Sequence, residues 1–144
     1  MSMRRYYEFA FVVILIGVLS LFLMRSLEAT RVEMEEAVVQ SEAAAIRIGL
    51  VEVVAHREVF GGELPKSRNP LDWVSTRPAN YVGELDSVPE SKSVWYFDRH
   101  AEELVFRFRD GHRARFRFIR ESGSEQSRAL LVGVGLSRLE DQSE

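Results

Sequence analysis

Side chains that commonly carry out catalysis or hold metal ions are few in this sequence and do not group by spacing. The three histidines, His56, His100 and His112, are far apart, and none belongs to an HExxH-type motif. His100 and His112 each follow an aspartate by two residues, but neither pair has a third ligand at a metal-binding spacing. The 144-residue chain has no cysteine, which excludes disulfides and thiolate metal sites, and it has no glycine-rich phosphate loop. We therefore expect no enzyme activity, no metal and no cofactor.

Arginines at alternate positions form the clearest candidate for a binding surface. Residues 103–109 and 112–120 alternate apolar and charged side chains, and the Asp110-Gly111 pair between them is typical of a two-residue hairpin turn. Because alternate side chains of a strand share one face, we expect five guanidinium groups on one face of this hairpin. These are Arg107, Arg109, Arg113, Arg115 and Arg117.

Two interpretations of these arginines remain open. Three glutamates lie close enough in sequence to neutralise part of the charge, which would leave an ordinary solvated face: Glu102, Glu103 and Glu121. The alternative is a surface that docks on an acidic partner protein. A nucleic-acid partner is not expected, because 19 Lys and Arg against 22 Asp and Glu give the chain a formal charge of −3.

An apolar segment near the N-terminus predicts a membrane anchor. Residues 9–24, FAFVVILIGVLSLFLM, contain no charge and would span about 24 Å as a helix, which flanking tyrosines and arginines extend toward the roughly 30 Å of a bilayer core. A cleaved signal peptide would end in a small-x-small site, and this run ends in Leu-Met-Arg. The basic residues of the N-terminal flank place residues 1–8 in the cytoplasm and the C-terminal domain in a bacterial periplasm, with one crossing of the inner membrane.

The remaining elements predict an α+β fold. We expect residues 9–25 to be the transmembrane helix and residues 26–60 to continue the same helix, because no proline interrupts it. Its apolar residues form two stripes, one that includes Val38, Ile48 and Val59 and another that includes Val39, Ile46 and Leu50. Residues 61–92 contain all four prolines and predict a loop, residues 93–137 an antiparallel sheet, and residues 138–144 a polar tail. The sheet would have four strands, at residues 94–98, 103–109, 112–120 and 129–136, and the C-terminal half of the helix would pack on it.

Glu8 lies at the edge of the apolar run, where a carboxylate is costly. One explanation is that Glu8 lies in the headgroup layer, near the helix N-terminus, where the helix dipole favours an anion. The other is that Glu8 pairs with a positive group on a neighbouring subunit. With residues 9–24 and the strand pattern of residues 94–136, Glu8 makes the chain resemble type IV pilins and the pseudopilins of type II secretion. In that family a glutamate five residues into the mature helix contacts the N-terminal amine of the next subunit, and Glu8 matches it if the mature chain begins at Arg4. Met3 stands where the family has glycine, so the resemblance implies an uncleaved accessory protein.

A narrower resemblance covers residues 69–107. Four segments are similar to pilin-like accessory proteins of mannose-sensitive haemagglutinin (MSHA) pilus biogenesis. They are Asn-Pro-Leu at 69–71, RPANYVGEL at 77–85, WYFD at 95–98 and LVFR at 104–107. Physically, the second segment predicts a turn that positions Tyr81, and the third an edge strand. The implied function is a non-enzymatic, membrane-anchored component of MSHA-type pilus or type II secretion assembly, with the bilayer and other pilin-like or assembly proteins as partners, in a homo- or hetero-oligomer. The alternative is a membrane-tethered protein-binding module, unrelated to pili, that uses the arginine-rich hairpin.

Overall fold

The computed structural model describes residues 3–120 and 134–139. These residues form helix α1 (Met3–Phe60), one turn of 3₁₀ helix (Pro70–Asp72) and the five strands β1 (Tyr81–Leu85), β2 (Val94–Asp98), β3 (Glu103–Arg107), β4 (Arg113–Arg120) and β5 (Val134–Leu139). The chain divides into two compact units, Met1–Met34 and Glu35–Glu144.

In the first unit, α1 has the length and composition of a membrane-crossing helix. Its most apolar 18-residue window has a mean hydropathy of 2.4, and none of that window is buried. The large apolar side chains of residues 9–24 are all exposed. A helix that is apolar on every side lacks the polar face that a helix on a water-soluble surface would show.

The second unit contains a five-stranded mixed sheet in the order β1-β2-β3-β4-β5. Neighbouring strands from β2 to β5 are antiparallel, whereas β1 pairs with β2 in parallel. The α+β class is confirmed, but the prediction of four strands in a purely antiparallel sheet is wrong. The additional strand, β1, lies inside the segment predicted as a loop, and it places β2 in the sheet interior instead of at an edge.

Local signals explain why β1 was not expected. The strand has only five residues and contains Gly83, and its register with β2 shifts between Tyr81 and Glu84. Glycine and an irregular register both weaken the alternation by which strands are recognised. The last predicted strand, residues 129–136, lies partly outside the described residues. Its described part belongs to β5, which continues to Leu139 into the segment predicted as a tail.

The hydrophobic core lies between α1 and one face of the sheet. The buried helix residues follow a spacing of four, three, four and four: Val39, Ala43, Ile46, Leu50 and Val54. They pack with aromatic and aliphatic side chains that include Trp95, Phe106 and Phe116. Of the two apolar stripes seen in the sequence, the one containing Val39 and Leu50 is therefore buried. The other is exposed, because the two stripes lie on different sides of the helix and only one can face the sheet.

Close approach at Gly49 lets the segment after the 3₁₀ turn pack on the helix. A Cβ atom at this position would lie 2.8 Å from Cγ1 of Val74. Two polar contacts also join the helix to the sheet: the indole Nε1–H of Trp95 donates to Glu42 at 2.6 Å, and Nε–H of Arg47 donates to the Leu136 carbonyl at 2.8 Å. Such partners remove the cost of burying these polar groups.

Candidate functional site

The antiparallel register of β3 and β4 brings four of the five predicted arginines together. Arg107 lies opposite Arg113, Val105 opposite Arg115, and Glu103 opposite Arg117. These side chains share the face opposite the core, because the intervening residues Leu104, Phe106, Ala114 and Phe116 are buried. We call Arg107, Arg113, Arg115 and Arg117 the arginine face.

The prediction that Arg109 belongs to a strand is wrong, because Arg109 lies in the connection between β3 and β4 and is not part of the arginine face as defined. β3 ends at Arg107 and β4 begins at Arg113, so the connection spans residues 108–112 and is longer than the two-residue turn expected. The Phe108 N–H donates to the His112 carbonyl at 2.9 Å, and Gly111 has a φ of +98°, a conformation that suits glycine. The backbone N–H of Arg109 donates to a carboxylate oxygen of Glu35 on α1 at 3.1 Å. Arg109 is thus part of the turn that contacts the helix.

One buried glutamate neutralises part of the arginine face. Glu103 is only 3% exposed, and its carboxylate lies 3.0 Å from Nη2 of Arg117 and 3.9 Å from Nη1 of Arg115. Glu102, the other candidate, forms an ion pair with Arg68 instead. Glu121 lies outside the described residues. The prediction of partial neutralisation is therefore met by Glu103 among the described residues.

Arg107 and Arg113 at the other end of the face differ from this pair. A guanidinium N–H of Arg107 donates to the carbonyl of Pro89, in the connection between β1 and β2. The buried Nε–H of Arg107 has no hydrogen-bond partner among the described residues. Arg113 is exposed and has no ion pair within residues 3–120 and 134–139. Two like charges directly opposite each other destabilise a strand pair, so this end carries an electrostatic cost that no acid among the described residues offsets.

Carboxylates beside the turn are held in their charged forms. Burial opposes the ionisation of Asp110, but hydrogen bonds from the backbone N–H and the imidazole of His112 outweigh it and lower the pKa of the carboxyl. The hydrogen bond from Arg138 on β5 lowers the pKa of Glu36 on α1, although partial burial opposes this effect. The His112 ring also stacks on Phe108, with centroids 3.9 Å apart. The contacts of His112 hold the turn together, and the pair of Arg138 with Glu36 joins the end of β5 to the helix.

Asn69 organises the segments that carry the narrower family resemblance. Its side chain is 1% exposed, and its Oδ1 accepts the Leu71 N–H at 3.0 Å and caps the 3₁₀ turn. Its Nδ2 donates to Oη of Tyr81 at 2.8 Å and to Glu84 at 3.2 Å. Burial raises the pKa of Tyr81, while the hydrogen bond to Asn69 opposes this shift. The Asn-Pro-Leu and Tyr-Val-Gly-Glu segments are therefore joined by one buried polar group.

Glu8 has a cationic neighbour within its own helix. Its carboxylate lies 3.4 Å from Nε of Arg4, one turn earlier, and the two side chains are 66% and 87% exposed. An exposed pair at this spacing contributes little, about 0.3–0.5 kcal/mol. The contact therefore leaves the carboxylate accessible, and a role in subunit contact stays a prediction.

The described residues form no metal-binding cluster but do form a groove beside the helix. Within these residues no three or more His, Asp or Glu side chains are close enough to hold a metal ion. A groove of about 380 Å³, which the sequence did not predict, lies between α1 and residues 74–78, with Ala45, Ile48 and Gly49 on the helix side. Val74 and Gly49 both line this groove, and residues 49 and 74 are brought together only by the fold.

Comparison of the chain with protein-family models, with curated proteins and with solved structures finds no match.

Proposed function

We propose that this chain is a non-enzymatic, membrane-anchored component of a pilin-like assembly, of the MSHA-type pilus or type II secretion class. The observation that supports this most is helix α1 itself. Its N-terminal part is apolar on every side, and its C-terminal part supplies the buried stripe that covers the sheet. A single helix thus contains both a candidate anchor and the core of a small α+β domain.

The apolar segment supplies the argument for a membrane. Each large aliphatic or aromatic side chain left in water forgoes about 1.5–3 kcal/mol relative to burial. Fourteen of the sixteen residues in the segment 9–24 have apolar side chains, and all fourteen are exposed in the isolated chain. A bilayer removes this cost, and the helix can enter it because its backbone hydrogen bonds are made within the helix. The flanking arginines favour a cytoplasmic N-terminus and a periplasmic C-terminal domain.

The use of polar side chains in the second unit supports an assembly role over catalysis. Glu42, Arg47, Asn69 and Glu103 each bond to a group of the fold itself. Polar groups committed in this way hold elements together and are not free to act on a substrate. The sequence resemblance supplies the pilin-like class, and Met3 in place of glycine favours an accessory protein that keeps its N-terminus.

Two measurements test this proposal. Alkaline extraction of membranes should leave the full chain in the membrane pellet, and a variant with residues 9–24 replaced by an alternating serine-alanine segment should be released. Reporter fusions after Glu144 should be active only as periplasmic reporters. Release of the unaltered chain by alkali, or activity only from a cytoplasmic reporter, would contradict the anchor or its orientation respectively.

A tethered binding module is the second candidate function, because Arg113 is exposed and without an ion pair among the described residues. Capture of proteins crosslinked to the chain in native membranes separates the two candidates. Pilins, a pilus platform protein or secretion-system components support the assembly role. A single unrelated partner supports the binding module.

A further inference from the structure

From the arrangement of charge on the sheet we infer that the arginine face binds an extended, acidic segment of a partner protein, laid along β4. Arg113 would supply the principal contact. This inference does not depend on the proposed assembly function, because it rests on the second unit alone.

The charges of this face are unevenly distributed. Two carboxylates of this face among the described residues, Asp98 and Glu103, lie in the same cross-strand row as Arg117. Glu103 is bound by arginines, and Oδ1 of Asp98 accepts the N–H groups of residues 100 and 101 at 2.9 and 3.1 Å. The row at the other end contains Val94, Arg107 and Arg113, and within residues 3–120 and 134–139 it includes no acid.

Among the described residues, the end of the face with Arg107 and Arg113 has the free hydrogen-bonding capacity that a carboxylate needs. A guanidinium has five N–H donors in a planar fork that matches a carboxylate. Arg113 uses none of its donors on residues 3–120 and 134–139, and Arg107 uses one, on the Pro89 carbonyl. A carboxylate placed between these two side chains would accept from both and would relieve their mutual repulsion.

The shape of the surface favours an extended protein segment over a small anion. Side chains 113, 115, 117 and 119 of β4 follow one another on this face at a spacing of about 6.7 Å, which is also the spacing of alternate side chains in an extended partner. Three are arginines, and the fourth, Ile119, is 45% exposed. Arginine next to accessible apolar surface is typical of protein interfaces. A free phosphate would use one or two arginines and would gain nothing from Ile119.

Binding of a defined peptide to the full chain in neutral detergent micelles tests the inference. The probe is a fluorescently labelled peptide that alternates glutamate with serine and ends in leucine, and binding is followed by anisotropy. Arg113→Gln should weaken binding about tenfold, since a charge-assisted hydrogen bond of ordinary strength corresponds to such a factor. Arg109→Gln is the matched control, because it removes the same charge from an exposed arginine off the face, and it should change binding less than twofold. Arg115 and Arg117 are left intact to preserve the bonds of Glu103.

Further measurements control for folding and distinguish between ligands. A peptide with glutamine in place of glutamate should bind at least tenfold more weakly than the acidic probe. Circular dichroism of both variants should match that of the unaltered chain, so that a loss of binding is not a loss of folding. Equal affinities of the Arg113→Gln and Arg109→Gln variants overturn the inference. Two other results would also overturn the inference, because they would assign the face to another ligand. One is complete displacement of the probe by millimolar inorganic phosphate. The other is preferential binding to vesicles rich in anionic lipid that is lost in Arg113→Gln.

Discussion

Substitution of Gly49 by alanine probes the contact between α1 and the segment that follows the 3₁₀ turn. In an exposed helix interior this change stabilises by about 0.8–1 kcal/mol, because alanine has the higher helix propensity. Here the new Cβ would lie 2.8 Å from Cγ1 and 3.3 Å from Cβ of Val74. Favourable carbon–carbon contacts lie at about 3.5–4.0 Å, so the two segments must separate.

The magnitude follows from these two opposing effects. Overpacking of a well-packed site costs about 1–3 kcal/mol. After subtraction of the propensity gain, Gly49→Ala should lower the free energy of unfolding by about 0–2 kcal/mol. Val74→Ala removes the Cγ1 atom in the way, so in that background Gly49→Ala should instead stabilise by up to about 1 kcal/mol. The coupling between the two substitutions is therefore expected at about 1–3 kcal/mol.

Urea unfolding of the four chains of this cycle, in neutral detergent micelles, gives the coupling. Tryptophan fluorescence is a suitable probe because Trp73 and Trp95 are both buried in the second unit. If Gly49→Ala stabilises the unaltered chain as much as it stabilises the Val74→Ala chain, the coupling is zero. That result would refute the close approach of the two segments.

Four other substitutions test the core, the buried asparagine and the electrostatics, all by urea unfolding. Leu50→Ala, in the buried stripe, should lower the free energy of unfolding by about 2–5 kcal/mol. Ile48→Ala, at a position 68% exposed, should change it by no more than about 0.5 kcal/mol. Similar losses for the two substitutions would contradict the assignment of the buried face of α1. Asn69→Ala should cost about 1–3 kcal/mol because it removes the 3₁₀ cap and leaves the buried Leu71 N–H without its acceptor. A smaller loss would show that these hydrogen bonds are dispensable. Glu36→Gln should cost about 0.2–1 kcal/mol at neutral pH. Folding lowers the pKa of Glu36, so the stability difference between the two chains should be complete at pH values above the ordinary glutamate pKa of 4.5. It should vanish as the pH falls through the lower pKa of the folded state. A stability difference that persists in acid would contradict the pairing of Glu36 with arginine.

Local patterns in the sequence account for most of the second unit. Strands β2, β3 and β4 were predicted because their apolar residues alternate and turn residues separate them. The sequence does not predict β1, because a five-residue strand that contains glycine shows too little alternation of apolar and polar residues. Its parallel pairing with β2 depends on the fold and has no local signal. The sequence does not decide which apolar stripe of α1 is buried, the one with Val39 and Leu50 or the one with Val38 and Ile48. Both have helical spacing, and only the position of the sheet distinguishes them.

The candidate site shows the same division between local and long-range information. Alternation placed Arg107, Arg113, Arg115 and Arg117 correctly on one face, and the same parity would have assigned Glu103 to that face and Glu102 to the other. Arg109 was misplaced because the dipeptide Asp110-Gly111 suggested a turn shorter than residues 108–112. Its contact with Glu35 joins residues far apart in sequence, and no local pattern indicates it.

Crosslinking of the full chain in the membranes of its native host tests the proposed assembly function most directly. A photoreactive amino acid at an exposed position of α1, such as Ile48, would capture neighbouring proteins, which mass spectrometry identifies and counts against a chain without the photoreactive group. The proposal predicts that pilins, pseudopilins or the membrane proteins of a pilus or type II secretion machine are enriched. Efficient crosslinking that yields no component of either machine would contradict it.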